Sequence, residues 1–206
     1  FAPPQVACDD GDPCTGWGSC LAGKCAAGTL GVWSLVQPIV AMSPTQAAAI
    51  DARNGLVYVT GTEAKGGKFE LARMVLQPGG AVVEATNFGD ADYGLTAHAA
   101  DWLPVAGGPG SHAVVGAAVK GGTVVGGFVA LLALDGKAAP KLAVLVDTFA
   151  KPPKPMTFVA VRAPMPLIWV AGDYSGADGK RSFVAKLNGD LSVALQTVVD
   201  EGGQIG

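Results

Sequence analysis

Val57-Tyr58-Val59-Thr60-Gly61 recurs as Ala113-Val114-Val115-Gly116 and again as Ile168-Trp169-Val170-Ala171-Gly172, with the closing glycines 55 and 56 residues apart. Each run is strand-sized, rich in β-branched or small residues, and ended by glycine. A second run follows each of them: Phe69-Glu70-Leu71-Ala72-Arg73-Met74, then Phe128-Val129-Ala130-Leu131-Leu132-Ala133-Leu134, then Phe183-Val184-Ala185-Lys186-Leu187. Turns close these runs at Gln77-Pro78-Gly79-Gly80, Asp135-Gly136-Lys137 and Asn188-Gly189-Asp190. Asp-Gly and Asn-Gly between hydrophobic runs are strong hairpin signals.

Working outward, a further apolar run precedes each glycine-ended one, at Ala47 to Ile50, Leu95 to Ala100 and Phe158 to Val161. Another follows each turn, at Val82 to Phe88, Leu142 to Phe149 and Val193 to Val199. Each stretch of about 55 residues therefore reads as a four-stranded antiparallel meander. Helical periodicity is weak, and Gly and Pro interrupt every long candidate. A four-stranded unit at fixed period is the signature of a β-propeller blade. Small side chains in the first strands, Ala47-Ala48-Ala49 and Thr96-Ala97-His98-Ala99-Ala100, suit strands crowded around an axis.

The expected fold is all-β: three four-stranded units of β-propeller type, a partial propeller, at 45–94, 95–155 and 156–206. Val32 to Val36 in 30–44 reads as the outer strand of a preceding unit, and Pro104 to Gly110 as an insertion in the second unit. Three blades are fewer than the four to eight of an ordinary ring. The chain is then a piece of a larger ring, or several chains complete one, or the units stack differently; a two-sheet sandwich is the alternative fold. Phe1 in place of Met, and a turn-like stretch over 200–206, lead us to expect a processed or excised piece.

Composition agrees with many short strands: 50% hydrophobic, 15% charged, Gly 30 and Pro 14. A net charge of −3 gives no electrostatic reason for nucleic acid or an anionic membrane as partner. No run approaches the length of a transmembrane helix.

All four cysteines fall within an 18-residue segment, inside residues 1–29: Cys8, Cys14, Cys20 and Cys25. Among Gly, Asp and Pro, with no apolar run, they read as two disulfides stapling a loop. Three connectivities exist. The crossed one, Cys8 with Cys20 and Cys14 with Cys25, is favoured because it closes larger loops. The intervals of six, six and five residues lack the close ligand pairs of a zinc site. Asp9, Asp10 and Asp12 are candidate calcium ligands, although the full twelve-residue loop with its final Glu is absent and solvated turn acids are the plainer reading. No other cofactor is called for.

The string Cys8-Asp9-Asp10-Gly11-Asp12-Pro13-Cys14-Thr15, continued to Cys20 and Cys25, resembles short Cys-rich modules of secreted and cell-surface proteins of myxobacteria, related bacteria and slime moulds. The resemblance covers about a tenth of the chain and implies export. The repeat resembles bacterial extracellular β-propeller repeats of the SBBP and delta-60 type. Asn54 to Gly61, Phe69 to Met74 and Phe88-Gly89-Asp90 carry that likeness. These are structural consensus positions, so the likeness implies a fold and no catalytic residue.

Chemistry is sparse. The two histidines, His98 and His112, read as structural; His98, Asp101 and a serine make no motif at this spacing, and no G-x-S-x-G elbow is present. Gly121-Gly122 and Gly126-Gly127 are not phosphate cradles, since no helix follows them. Ala150 to Pro155 reads as a stiff spacer between units two and three. The candidate ligand-binding loops are Asp90, Asp92 and Tyr93 after the first unit, and Asp173, Tyr174 and Asp178 inside the third. The functional expectation is a non-catalytic, extracellular or cell-surface binding or assembly module, whose partner is an extracellular protein, a glycan or a neighbouring subunit. A propeller hydrolase or lyase with a loop-borne active site, and a structural subunit of an extracellular assembly, are the alternatives.

Overall fold

The computed structural model describes residues 7–8, 18–21, 24–26, 45–53, 55–77, 80–105, 110–134, 140–147, 154–164, 166–176 and 179–200. Every regular element among them is a β-strand. The chain divides into two compact segments, Phe1–Pro38 and Ile39–Gly206. In the first, β1 (Ala7–Cys8), β2 (Gly18–Leu21) and β3 (Lys24–Ala26) form an antiparallel sheet in that order. Its register sets Cys8 opposite Gly18 and Cys20 opposite Cys25. Asp9, Asp10, Asp12, Cys14 and the run Val32 to Val36 lie outside the described residues.

The second segment holds three antiparallel meanders. Unit one is β4 (Thr45–Arg53), β5 (Leu56–Lys65), β6 (Lys68–Leu76) and β7 (Val82–Phe88). Unit two is β8 (Gly94–Leu103), β9 (Ser111–Lys120), β10 (Thr123–Ala133) and β11 (Lys141–Asp147). To its edge β12 (Lys154–Pro155) adds a short fifth strand. The expected spacer is thus partly strand and unit two has five strands instead of four; an edge position suits proline, which lacks an N–H to donate. Unit three is β13 (Thr157–Arg162), β14 (Leu167–Gly176), β15 (Gly179–Asn188) and β16 (Val193–Asp200).

One backbone device recurs in all three units. The first strand bulges between Ala47 and Ala49, between Ala97 and Ala99, and between Phe158 and Ala160. The repeated glycine faces each bulge. A Cβ on Gly61 would run into the carbonyl oxygen of Gln46, one on Gly116 into that of Thr96, and one on Gly172 into that of Thr157. A bulge bends its strand and turns a carbonyl out of the ladder. Only glycine lets the second strand lie against it.

The phenylalanine signature does not follow the same register. Phe128 pairs with Gly116 and Phe183 with Gly172, but Gly61 pairs with Ala72. Phe69 lies three residues nearer the hairpin, opposite Ala64, and is exposed. The hairpins at Gly66-Gly67 and Gly121-Gly122 are two-residue turns with positive φ at both positions, as a type I′ turn requires.

The units stack face to face, with β8 packed against β4 on one side and β13 on the other. Because side chains alternate faces along a strand, each sheet feeds two junctions. Leu95, Val114, Phe128, Ala130 and Leu132 of unit two cluster with Leu71 of unit one. The opposite face, Ala113, Val115, Val129 and Leu131, clusters with Phe158, Val161, Ile168, Val170, Phe183 and Leu187 of unit three.

Candidate functional site

The first strands carry three residues at one repeated position. Asp51 pairs with Tyr58, Asp101 with Ala113 and Arg162 with Trp169, and each partner lies three residues before the repeated glycine. All three line one pocket of about 230 Å³, together with Tyr58, Trp102 and His112.

Asp51 Oδ2 is shared. Arg53 Nε donates to it at 2.7 Å, and His112 Nε2 lies 3.3 Å away. His112 is buried at the start of β9, edge-on to the Tyr58 ring at 5.2 Å between centroids. Its Nδ1 is buried without a hydrogen-bond partner. With Nε2–H donating to Asp51, the neutral ring leaves only a bare lone pair there, whereas the imidazolium would bury an unmatched N–H. Burial accordingly pushes the His112 pKa below the usual 6.5; Asp51 opposes the shift, and Arg73 and Arg53 add to it. The Arg53 guanidinium in turn stacks 3.8 Å from the centroid of the Trp102 ring.

Asp101 does a different job. Its Oδ1 accepts the backbone N–H of Trp102 and its Oδ2 that of Ala163, both at 2.9 Å, so it ties the first strand of unit two to unit three. The third residue, Arg162, is exposed and makes no ion pair among the described residues. The pocket thus offers an open guanidinium, an aromatic wall and a carboxylate, Asp51, with one oxygen uncommitted.

Close by, Arg73 is fully buried between units one and two. Its Nη1 donates to the Ala133 carbonyl and its Nη2 to Glu84 Oε1 at 2.6 Å. The hydrogen bond from Arg73 holds the Glu84 carboxyl below the usual carboxylate range.

The loop acids singled out from sequence are placed elsewhere. Asp90 Oδ1 accepts the N–H groups of Asp92 and Tyr93 at 2.8 and 3.0 Å, which closes a turn before β8. Asp92 faces Lys120 at 3.9 Å, and Lys120 also lies over the Tyr93 ring. Asp173 accepts from the Ser182 hydroxyl at 2.7 Å. Tyr174 is in β14, and Asp178 lies outside the described residues. The antiparallel topology puts both sets at the starting end of the first strands, since Gly94 pairs with Val119 and Thr157 with Asp173. His98 takes the bulge position of β8, and its Nδ1 donates to the Phe158 carbonyl at 3.0 Å. It joins two first strands and stands apart from Asp101, whose oxygens are engaged elsewhere.

Asp51, Arg53, Tyr58, Trp102 and Arg162 are therefore the residues a sequence reading passes over. Their signal was the offset from the repeated glycine, but the stretch Pro104 to Gly110 breaks it: the offset is ten residues for Asp51 and Arg162 and fifteen for Asp101.

Among the described residues no cluster of three or more His, Cys, Asp or Glu is suited to a metal ion, and no helix is long and apolar enough to cross a membrane. No protein-family model matches the chain, and no curated protein shows significant sequence similarity to it.

Proposed function

We propose that the chain is a non-catalytic, exported binding or assembly module whose three sheets are blades of β-propeller type. The observation that carries this reading is the stack itself. Three first strands lie side by side, each bulged at the same place against the same glycine, and their equivalent residues Asp51, Asp101 and Arg162 meet at one pocket. In a propeller that pocket sits at one end of the axis, where ligands are commonly held.

The state of the acids supports binding over hydrolysis. Both oxygens of Asp101 already accept backbone N–H groups, which leaves Asp51, held through Oδ2 by Arg53 and His112, as the one pocket carboxylate with an uncommitted oxygen and no second carboxylate to pair with it. A general acid–base pair needs a carboxylate free to exchange a proton with substrate. The open Arg162 and the Trp102 wall fit an extracellular glycan or protein segment that carries a carboxylate. Export rests on the Cys-rich segment, in which we place two disulfides; non-reducing peptide mapping checks them.

The test is binding of the full chain to arrays of uronate-containing oligosaccharides, neutral oligosaccharides and acidic peptides. Arg162→Ala is expected to weaken capture of the carboxylate-bearing probes at least tenfold while leaving the melting temperature unchanged. Equal binding by the variant and the parent chain would remove the pocket from the proposal.

A further inference from the structure

The pocket where the three first strands meet holds charges of both signs that do not satisfy each other. Asp51 on β4, Asp101 on β8 and Arg162 on β13 line the same space of about 230 Å³. Arg162 is exposed and has no ion-pair partner among the described residues. Asp51 spends only Oδ2, on Arg53 and His112. Its Oδ1 accepts nothing among the described residues, and the side chain stays 31% exposed, open to a ligand. On the same wall the Tyr58 ring is buried, yet its hydroxyl makes no hydrogen bond among the described residues. A guanidinium and a carboxylate oxygen that share a pocket without pairing can each be reached by a different end of one small ligand.

Charge counting decides what kind of ligand that is. The carboxylates of Asp51 and Asp101 are balanced by the guanidiniums of Arg53 and Arg162. His112, whose pKa is pushed below the usual 6.5 by burial, adds no charge near neutral pH. A ligand with a carboxylate alone gains Arg162 but brings a third negative charge beside Asp51 and Asp101. Ala49, Ala100 and Trp102 narrow the pocket and reduce the screening of that repulsion. A ligand with an ammonium next to its carboxylate gains Arg162 at one end and Asp51 Oδ1 at the other, and keeps the balance. The Tyr58 hydroxyl, which both donates and accepts, serves either end. The volume falls below the roughly 300 Å³ at which drug-sized ligands begin to fit, so the unit held is the size of a single residue.

We infer that this pocket takes a zwitterionic unit of single-residue size, its carboxylate on Arg162 and its ammonium on Asp51. The inference rests on the carboxylate-binding reading above and narrows it. An α-amino acid and an aminated sugar acid share this pair of charges.

Calorimetric titration of the full chain tests it, with leucine, N-acetylleucine and leucinamide in one arm and glucosaminuronate and N-acetylglucosaminuronate in the other. In at least one arm the free amine is expected to bind about tenfold or more tighter than its acetylated partner, the order of one charge-assisted hydrogen bond. The arm that shows it identifies the source. If that arm is leucine, leucinamide, which lacks the carboxylate, is expected to bind about tenfold or more weaker than leucine. Asp51→Asn is expected to abolish the preference for the free amine without weakening the acetylated probe, because it removes a negative neighbour. Arg162→Ala is expected to weaken both members of a pair alike. Equal binding of free and acetylated probes by the parent chain overturns the inference and leaves the carboxylate site standing. So does binding of neither pair by a chain that captures other carboxylate-bearing probes. No capture of any carboxylate-bearing probe removes the inference and the site together. A preference that persists in a folded Asp51→Asn, its melting temperature that of the parent, also overturns the inference. The ratios on the parent chain decide the matter if that variant does not fold.

Discussion

The two inner junctions use the same strands in the same register but bury different side chains at equivalent positions. Between units two and three the packed core is apolar: Val115, Val129 and Leu131 meet Phe158, Val161, Ile168 and Phe183, and the rings of Phe158 and Phe183 stand edge to face at 5.4 Å. The polar links there are those of Asp101 and His98 to backbone groups of β13 and the residue after it. Between units one and two, Thr60 takes the place of Val115 and Arg73 that of Val129, while Asp51, His112 and Glu84 supply partners. A shared backbone device explains how both are tolerated. The bulge and its glycine fix how first and second strands meet within each unit, so side chains at a junction are free to diverge; at the polar junction most buried polar atoms are paired, while Arg73 Nε, Trp102 Nε1 and His112 Nδ1 are not. The pocket opens where the polarity lies.

The largest effect expected from breaking this comparison is at the apolar junction. Phe158 lies so close to the backbone of unit two that a Cβ on Gly127 would come within 2.6 Å of its ring. Phe158→Ala should cost about 3–5 kcal/mol in urea unfolding, and a loss under about 1 kcal/mol would show that this junction is not core. At the polar junction, Arg73→Ala strands the Ala133 carbonyl and the Glu84 carboxylate, and should cost roughly 2–3 kcal/mol. Arg73→Met restores volume without a charge and should cost less than half as much. If both variants lose equally, the ion pair and not the packing carries the junction.

Acid should distinguish the two junctions more gently. His112 has its pKa lowered by folding, so the unfolded chain takes up a proton first as pH falls. The stability it contributes is complete above about 6.5 and is lost progressively below that, toward the folded pKa. Glu84, also lowered, adds a second loss that begins below about 4.5. Protection against hydrogen exchange, taken relative to the intrinsic amide rate at each pH, should therefore fall between pH 7.5 and 5 in β4, β5 and the start of β9 before β13 and β14. His112→Phe should flatten the difference. The smallest effect is expected at the surface, where Lys120 and Asp92 lie 3.9 Å apart with both side chains exposed. Lys120→Met should change stability by no more than about 0.5 kcal/mol.

Much of the fold was legible because its determinants are local and repeated. Gly61, Gly116 and Gly172 marked the second strands, and the apolar runs on either side located the other nine of the twelve. The phenylalanine signature misled in unit one because Ala72 stands opposite Gly61 there, and Phe69, three residues nearer the hairpin, fills an exposed position. The site was not legible. His112 and Asp51 are 61 residues apart and meet only because faces alternate along strands that belong to different units. Of the acids singled out from sequence, Asp90 accepts the two backbone N–H groups that close a turn, a role its position before β8 explains.

The central claim is that one bulge-and-glycine device is used three times. Alanine at Gly61, Gly116 and Gly172, each measured by urea unfolding of the full chain, tests it most directly. Each added Cβ would meet a backbone carbonyl that cannot move aside, so all three variants are expected to lose about 3 kcal/mol or more, within about 1 kcal/mol of one another. A variant of any of the three that unfolds like the parent chain would contradict the claim.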